Sequence, residues 1–177
     1  MTERVDPPLQ AGEAETLLSF LDYHRDTLRM KTAGLGVDEL DRRLSPSTMT
    51  LGGLLSHMTL VEDSWFSVVL AGNPPAAPWD DVDWEADNDW DWHRASGLDL
   101  EALIAGYHES VTRADALIAS ALERDGLEAA SVRASRRTDP GTPYSLRWIV
   151  LHMIEEYARH NGHADLIRES IDGQVGE

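Results

Sequence analysis

The sequence predicts an all-α fold: a four-helix bundle in which a long loop rich in Trp and Asp joins the second and third helices. Three observations lead there. Four stretches repeat apolar residues at spacings of three and four, the period of a helix with one buried face. No stretch of useful length alternates apolar and polar residues as a half-buried strand would. The chain has 177 residues, 42% of them hydrophobic, and no linker divides it, so one domain over 1–177 with a core of its own is expected.

The first helix is expected over 12–33. Leu17, Leu21, His24 and Leu28 share its buried face, and Gly34 and Gly36 break it. A short helical turn follows in VDELDRRL, and SPSTMT supplies helix-start chemistry, with Thr50 or a neighbour as N-cap. The second helix is expected over 51–71, with Leu51, Leu54, Met58, Val61, Trp65, Val68 and Val69 as its stripe and Gly72, Asn73 and Pro74 as its stop. The third covers 98–123, with Leu103, Tyr107, Val111, Ala114 and Ile118 among its buried positions. The fourth opens at TPYS: Thr142 caps, and Pro143 takes the first helical position, where its missing N–H is not needed. It runs to about Ile171, before Gly173.

Between helices two and three lies PPAAPWDDVDWEADNDWDWHRASG, too long for a plain connector. It holds four of the six tryptophans, which are expected either to pin it over the bundle or to make it a lid or a partner surface. It is not an EF-hand. With Asp81, Asp83 and Glu85 as first ligands, Ala86 falls where glycine is required and Trp92 where the bidentate glutamate belongs.

Charge and composition exclude several function classes. Lys and Arg number 15 against 32 Asp and Glu, a net −17 that repels phosphate backbones, so no nucleic-acid partner is expected. Arg133, Arg136 and Arg137 form a basic cluster, expected in a loop and too short to change this. The absence of cysteine removes disulfides, thiolate zinc sites and an internal thiol nucleophile; any thiol chemistry must use a thiol from outside. MTERVDPPLQAGE lacks the apolar core of a signal peptide, and no apolar run is long enough to cross a membrane. A soluble cytoplasmic protein without a membrane partner is expected.

The fourth helix carries the most unusual stretch, EEYARHNGHADLIRE at 155–169. Successive helical residues advance by about 100°. On that wheel Leu146, Ile149, Met153, Tyr157, Ala164 and Ile167 point inward, His160 falls within their arc, and Glu156 lies near its edge. His152 and His163 lie on the flank. Glu156 and His160 have the i, i+4 spacing that lets two side chains reach one ion. A third ligand must come from another helix, and both His57 at the edge of the second helix's stripe and His24 inside the first helix's stripe could supply it. Two readings stay open at this point: hydrogen-bonded core or border residues, or a metal site.

LLSHMTLVEDSWF on helix two, followed by WIVLHMIEEYARHNGHADLIRE on helix four, resembles the DinB-like four-helix-bundle superfamily. More narrowly it is similar to the branch of the mycothiol-dependent maleylpyruvate isomerase N-terminal domain and the mycothiol S-transferases. The resemblance implies a divalent metal held by His57, Glu156 and His160, with His24 left as a core or pocket residue. It implies mycothiol as co-substrate: the sulfur takes the open metal position and attacks a small electrophile as thiolate. His163, Asp165 and Arg168 follow the ligands in the same motif. They are read either as a surface ion pair and cap network or as groups that orient the ligands and bind the thiol. Asp165 or Asp63 could support a ligand histidine, although the wheel turns Asp63 outward. The sequence ends at 177 without the isomerase's second domain, so detoxification by S-transfer is favoured over isomerase activity. Zinc suits the mixed N/O set first; nickel, cobalt or iron would also fit.

Two other readings compete. The same two-histidine, one-carboxylate set serves iron oxygenases and metal hydrolases, and a trial without thiol would separate them. A non-catalytic bundle would dimerise or bind a partner through the Trp/Asp loop. A homodimer would pair helix faces with an apolar centre.

Overall fold

The computed structural model describes residues 4–137 and 139–175. Helix α1 spans Glu13–Thr32, the single-turn α2 Val37–Leu40, and α3 Leu51–Glu62. The chain continues from α3 as a π-helix over Asp63–Leu70. After the long loop come a short α4, Trp90–His93, and α5, Leu100–Asp125. A small antiparallel pair, β1 at Ala130–Ala134 and β2 at Pro143–Ser145, precedes α6, Leu146–Asp172.

The architecture is predominantly helical. α1 lies mainly along α6, and α3 mainly along α5, while α3 also touches α1 and α6. Leu21 and Leu28 from α1, Leu54, Leu55 and Met58 from α3, Tyr107 from α5, and Ile149, Met153 and Tyr157 from α6 are wholly shielded from solvent. These are the positions that the 3/4 spacing assigns inward, because only one stripe of each helix can face the others. Thr50 caps α3 by accepting the Gly53 N–H at 3.0 Å, and Gly173, at φ 80°, ends α6 in the left-handed conformation that glycine adopts without strain.

Four expectations are corrected. The second helix does not stay α-helical to residue 71; its last two turns are wound as a π-helix, with Ala71 N–H bonding to Phe66 C=O. Asp63 does not face solvent. Residues after the helix fold back over it, so its Oδ2 accepts the Ala76 N–H at 3.1 Å and its Oδ1 lies 3.5 Å from Arg113 Nε. A wheel gives a side chain's direction and is blind to the loop that covers it. The fourth helix starts at Leu146, not Pro143: Ser145 Oγ accepts the Trp148 N–H at 3.2 Å, while Pro143 belongs to β2. Finally, two strands exist. At five and three residues they are too short to show an alternation, and Arg133 lies in β1 while Arg136 and Arg137 lie in the turn beyond it.

Buried polar groups link the helices. Arg25 forks onto Glu62 through Nε and Nη2, both at 2.8 Å. Tyr157 donates its hydroxyl to Glu62 Oε1 at 2.7 Å, and Tyr107 lies 2.7 Å from the Tyr157 oxygen. Three of the four long helices are tied by this network, and α5 joins through Tyr107. Among the described residues no helix is long and apolar enough to cross a membrane.

Candidate metal centre

Three elements converge where α6 passes α3. α6 contributes Glu156 and His160, two positions one turn apart. α3 contributes His57. The long loop contributes α4, whose Asp91 and Trp92 close over His57. The His57 and His160 rings lie 4.9 Å apart, centroid to centroid, and Glu156 Oε2 is 3.6 Å from His160 Nε2. The structure thus brings His57, Glu156 and His160 into one neighbourhood from positions up to 103 residues apart in the chain, the separation of 57 from 160.

Asp91 settles the tautomer of His57. Its Oδ2 lies 2.6 Å from His57 Nδ1, and its side chain is only 5% exposed. A buried carboxylate beside Nδ1 draws the proton to that nitrogen and leaves the Nε2 lone pair free. Trp92 stacks on the same ring at 4.5 Å and 19°, and lies 5.8 Å from His160. The loop therefore orients His57 from one edge and shields it on one face. Gly53 makes the approach possible, since a Cβ there would stand 3.1 Å from Trp92 Cε3.

His160 is kept neutral. Burial pushes its pKa down to about 4, and the neighbouring His57, His163 and Arg159 act in the same direction. A neutral imidazole is the form that binds metals. Its Nδ1 is buried and has no hydrogen-bond partner. Leaving such an atom unpaired costs free energy that only a partner at Nδ1 would recover; the nitrogen that faces Glu156 is Nε2. The donor set of two imidazoles and a carboxylate, with His57 oriented by Asp91 and His160 neutral, fits a divalent cation.

The tightest cluster of ligand atoms among the described residues is a neighbouring one. His152, Glu155 and Glu156 offer three atoms all within 4.8 Å of one another, a spacing the expected trio does not reach. His152 Nε2 is 3.4 Å from Glu156 Oε1. Its ring stacks on Trp148 at 5.1 Å and meets Trp65 edge-on at 4.5 Å.

The other residues of the motif divide. His163 sits beside His160, rings 5.6 Å apart, with its Nδ1 buried and unpartnered. Asp165 faces away and pairs with Lys31 Nζ at 2.8 Å. Arg168 donates to the carbonyls of Lys31 and Ala33 at 3.1 and 2.9 Å, which closes the C-terminal end of α1, and pairs with Asp172. Neither supports a ligand histidine; Asp91 takes that position instead. His24 stays outside the cluster: Asn161 Nδ2 donates to its carbonyl at 2.9 Å, and burial, with Arg4 nearby, lowers the pKa of its ring. Sequence reasoning missed Asp91, Trp92 and His152. Asp91 and Trp92 lie in a loop without periodicity, and their only signal was the concentration of Trp and Asp itself.

Comparison with known proteins bears on the fold and the family. No curated protein matches the chain. A crystal structure described as the conserved protein of a locus from Enterococcus faecalis superposes with a TM-score of 0.71 at 15% identity, over 93% of this chain and 100% of that one, which shows a shared fold. A family model described as Mycothiol-S-transferase matches residues 16–173, nearly the whole chain. The chain belongs to the mycothiol-S-transferase family.

Proposed function

We propose that the protein is a divalent-metal-dependent S-transferase that conjugates mycothiol to small electrophiles, working as a single DinB-like four-helix-bundle domain in the cytoplasm. Family membership supports the thiol and the reaction class. The observation that carries the metal is the 2.6 Å contact between Asp91 and His57 Nδ1, which leaves Nε2 as the free nitrogen of a ring 4.9 Å from that of His160. His57, Glu156 and His160 hold the ion, with zinc first and nickel, cobalt or iron as alternatives. When bound, the cation supplies Lewis acidity that lowers the pKa of an incoming thiol.

The chain's own residues prepare that chemistry. Asp91 fixes the tautomer and aim of His57. Burial keeps His160 in the neutral imidazole form. Trp92 stacks on His57, and Trp65 and Trp148 pack on His152 one turn before Glu156; this aromatic surface would offer flat apolar contact to an electrophile. A cysteine-free chain brings no competing thiol.

The test is metal content by mass spectrometry on tag-free protein, for wild type and His57→Ala together, followed by a thiol-transfer assay. The expected result is bound metal in wild type, a loss of metal in the variant, and turnover that needs mycothiol. Turnover of a substrate with the thiol omitted would replace the transferase by a hydrolase or oxygenase.

A further inference from the structure

α6 carries more ligand-type side chains than one ion needs. His152, Glu155 and Glu156 stand at i, i+3 and i+4, which sets all three on one face of the helix, and their ligand atoms lie within 4.8 Å of one another. The cluster is not simply acidic: an imidazole is its first member, and that imidazole is held in place by Trp148 and Trp65.

Glu156 belongs to both clusters. Its Oε1 is 3.4 Å from His152 Nε2, and its Oε2 is 3.6 Å from His160 Nε2. One carboxylate therefore turns one oxygen to the imidazole a turn before it and the other oxygen to the imidazole a turn after it. His152 faces both carboxylates, Nδ1 to Glu155 Oε2 at 3.7 Å and Nε2 to Glu156 Oε1 at 3.4 Å, and Glu155 also pairs with Arg159, so an ion there would displace these contacts. A carboxylate that divides its oxygens between two donor sets is the arrangement of a bridged pair of cations.

We propose that a second divalent cation binds His152, Glu155 and Glu156, and that Glu156 bridges it to the ion at His57, Glu156 and His160. The bridge rests on the function proposed above; the second donor set does not. The second site is the more open of the two. The Glu155 side chain is 51% exposed and also pairs with Arg159, so water completes the coordination and Arg159 competes with the ion. The second ion is accordingly the weaker and faster-exchanging one. Its donors, one imidazole and two carboxylates, suit zinc, manganese or cobalt.

The experiment is equilibrium dialysis of the full, chelator-stripped chain against zinc, with bound equivalents read by mass spectrometry. Wild type, His57→Ala, His152→Gln, Glu155→Gln and Glu156→Ala are compared, with helicity checked by circular dichroism. Glu155→Gln alters an exposed group, so it tests the site without risk to the fold. The expected counts are two equivalents in wild type, one each in His57→Ala, His152→Gln and Glu155→Gln, and none in Glu156→Ala. One equivalent in wild type that survives His152→Gln and Glu155→Gln but not His57→Ala overturns the second site and leaves the first standing. One equivalent that survives His57→Ala but not Glu155→Gln supports the new donor set and overturns both the bridge and the proposed transferase centre. No zinc in wild type overturns both sites.

Discussion

At the scale of single residues, the ligand candidates were readable and their support was not. The i, i+4 pair Glu156 and His160 follows from helix geometry, while periodicity left His57 and His24 both open as the third candidate and only the family resemblance chose His57; the structure sets His57 and His160 4.9 Å apart. Asp91 could not be found that way. It reaches His57 from a loop whose path is set by packing of tryptophans, and loop paths have no period to read. Its contribution can be measured. Replacing Asp91 by Asn keeps the shape but removes the charge that draws the proton onto His57 Nδ1. Support of this kind is typically worth about 10–100-fold in metal affinity. We expect Asp91→Asn to weaken the first site by about that factor in a chelator competition while the helical content stays the same. Unchanged affinity would mean that Asp91 only fastens the loop.

At the scale of elements, the long helices were legible to within a few residues, because each buries one stripe and the stripe dictates the period. The departures sit where two local signals competed. Ser145 outranked Thr142 as the N-cap because residues 143–145 are held by pairing with β1. The loop over the site is where element-scale predictions belong. Gly53→Ala would bring a Cβ to 3.0 Å from Thr50 Oγ1 and 3.1 Å from Trp92 Cε3, and overpacking of this kind costs about 1–3 kcal/mol. It should lower the melting temperature and change tryptophan fluorescence as Trp92 moves off His57; an unaltered spectrum would show that Trp92 has room to spare. The loop also has an electrostatic clasp, His93 Nδ1 to Asp87 at 2.8 Å. The hydrogen bond to Asp87 and its charge raise the pKa of His93 above 6.5, and the same bond lowers that of Asp87 below 3.8. The clasp is therefore complete between those ordinary values. Its histidine part is lost as pH rises through the raised His93 value, and its aspartate part as pH falls through the lowered Asp87 value. A ring titration of His93 by NMR should have its midpoint above 6.5 in wild type and return toward 6.5 in Asp87→Asn.

At the scale of the whole molecule, the composition foretold an apolar helical core but gave no hint that an ion pair lies inside it. Arg25 stands one turn from Leu21 and Leu28, and Glu62 one turn from Met58 and Phe66, yet a sequence cannot say that two buried charges 37 residues apart will meet. Their pairing explains why neither is expelled: burial of a lone charge is prohibitive, whereas a forked guanidinium–carboxylate contact with a tyrosine hydroxyl on the same oxygen leaves little of either charge unsatisfied. The network also ties α1, α3 and α6 together at Glu62, five residues beyond His57 on α3, so the frame that positions the site depends on it. Removing one partner strands the other. Arg25→Met should cost about 3–5 kcal/mol, the usual penalty for an uncompensated buried charge, whereas Arg25→Met with Glu62→Leu should recover most of it because no charge is then left inside. Denaturant unfolding of the two variants and wild type measures the difference directly. If the double variant were as unstable as the single one, the pair would be doing more than neutralising itself, and the lost order would lie in Tyr157, whose hydroxyl would have no carboxylate to meet, and in Tyr107, which bonds to that hydroxyl.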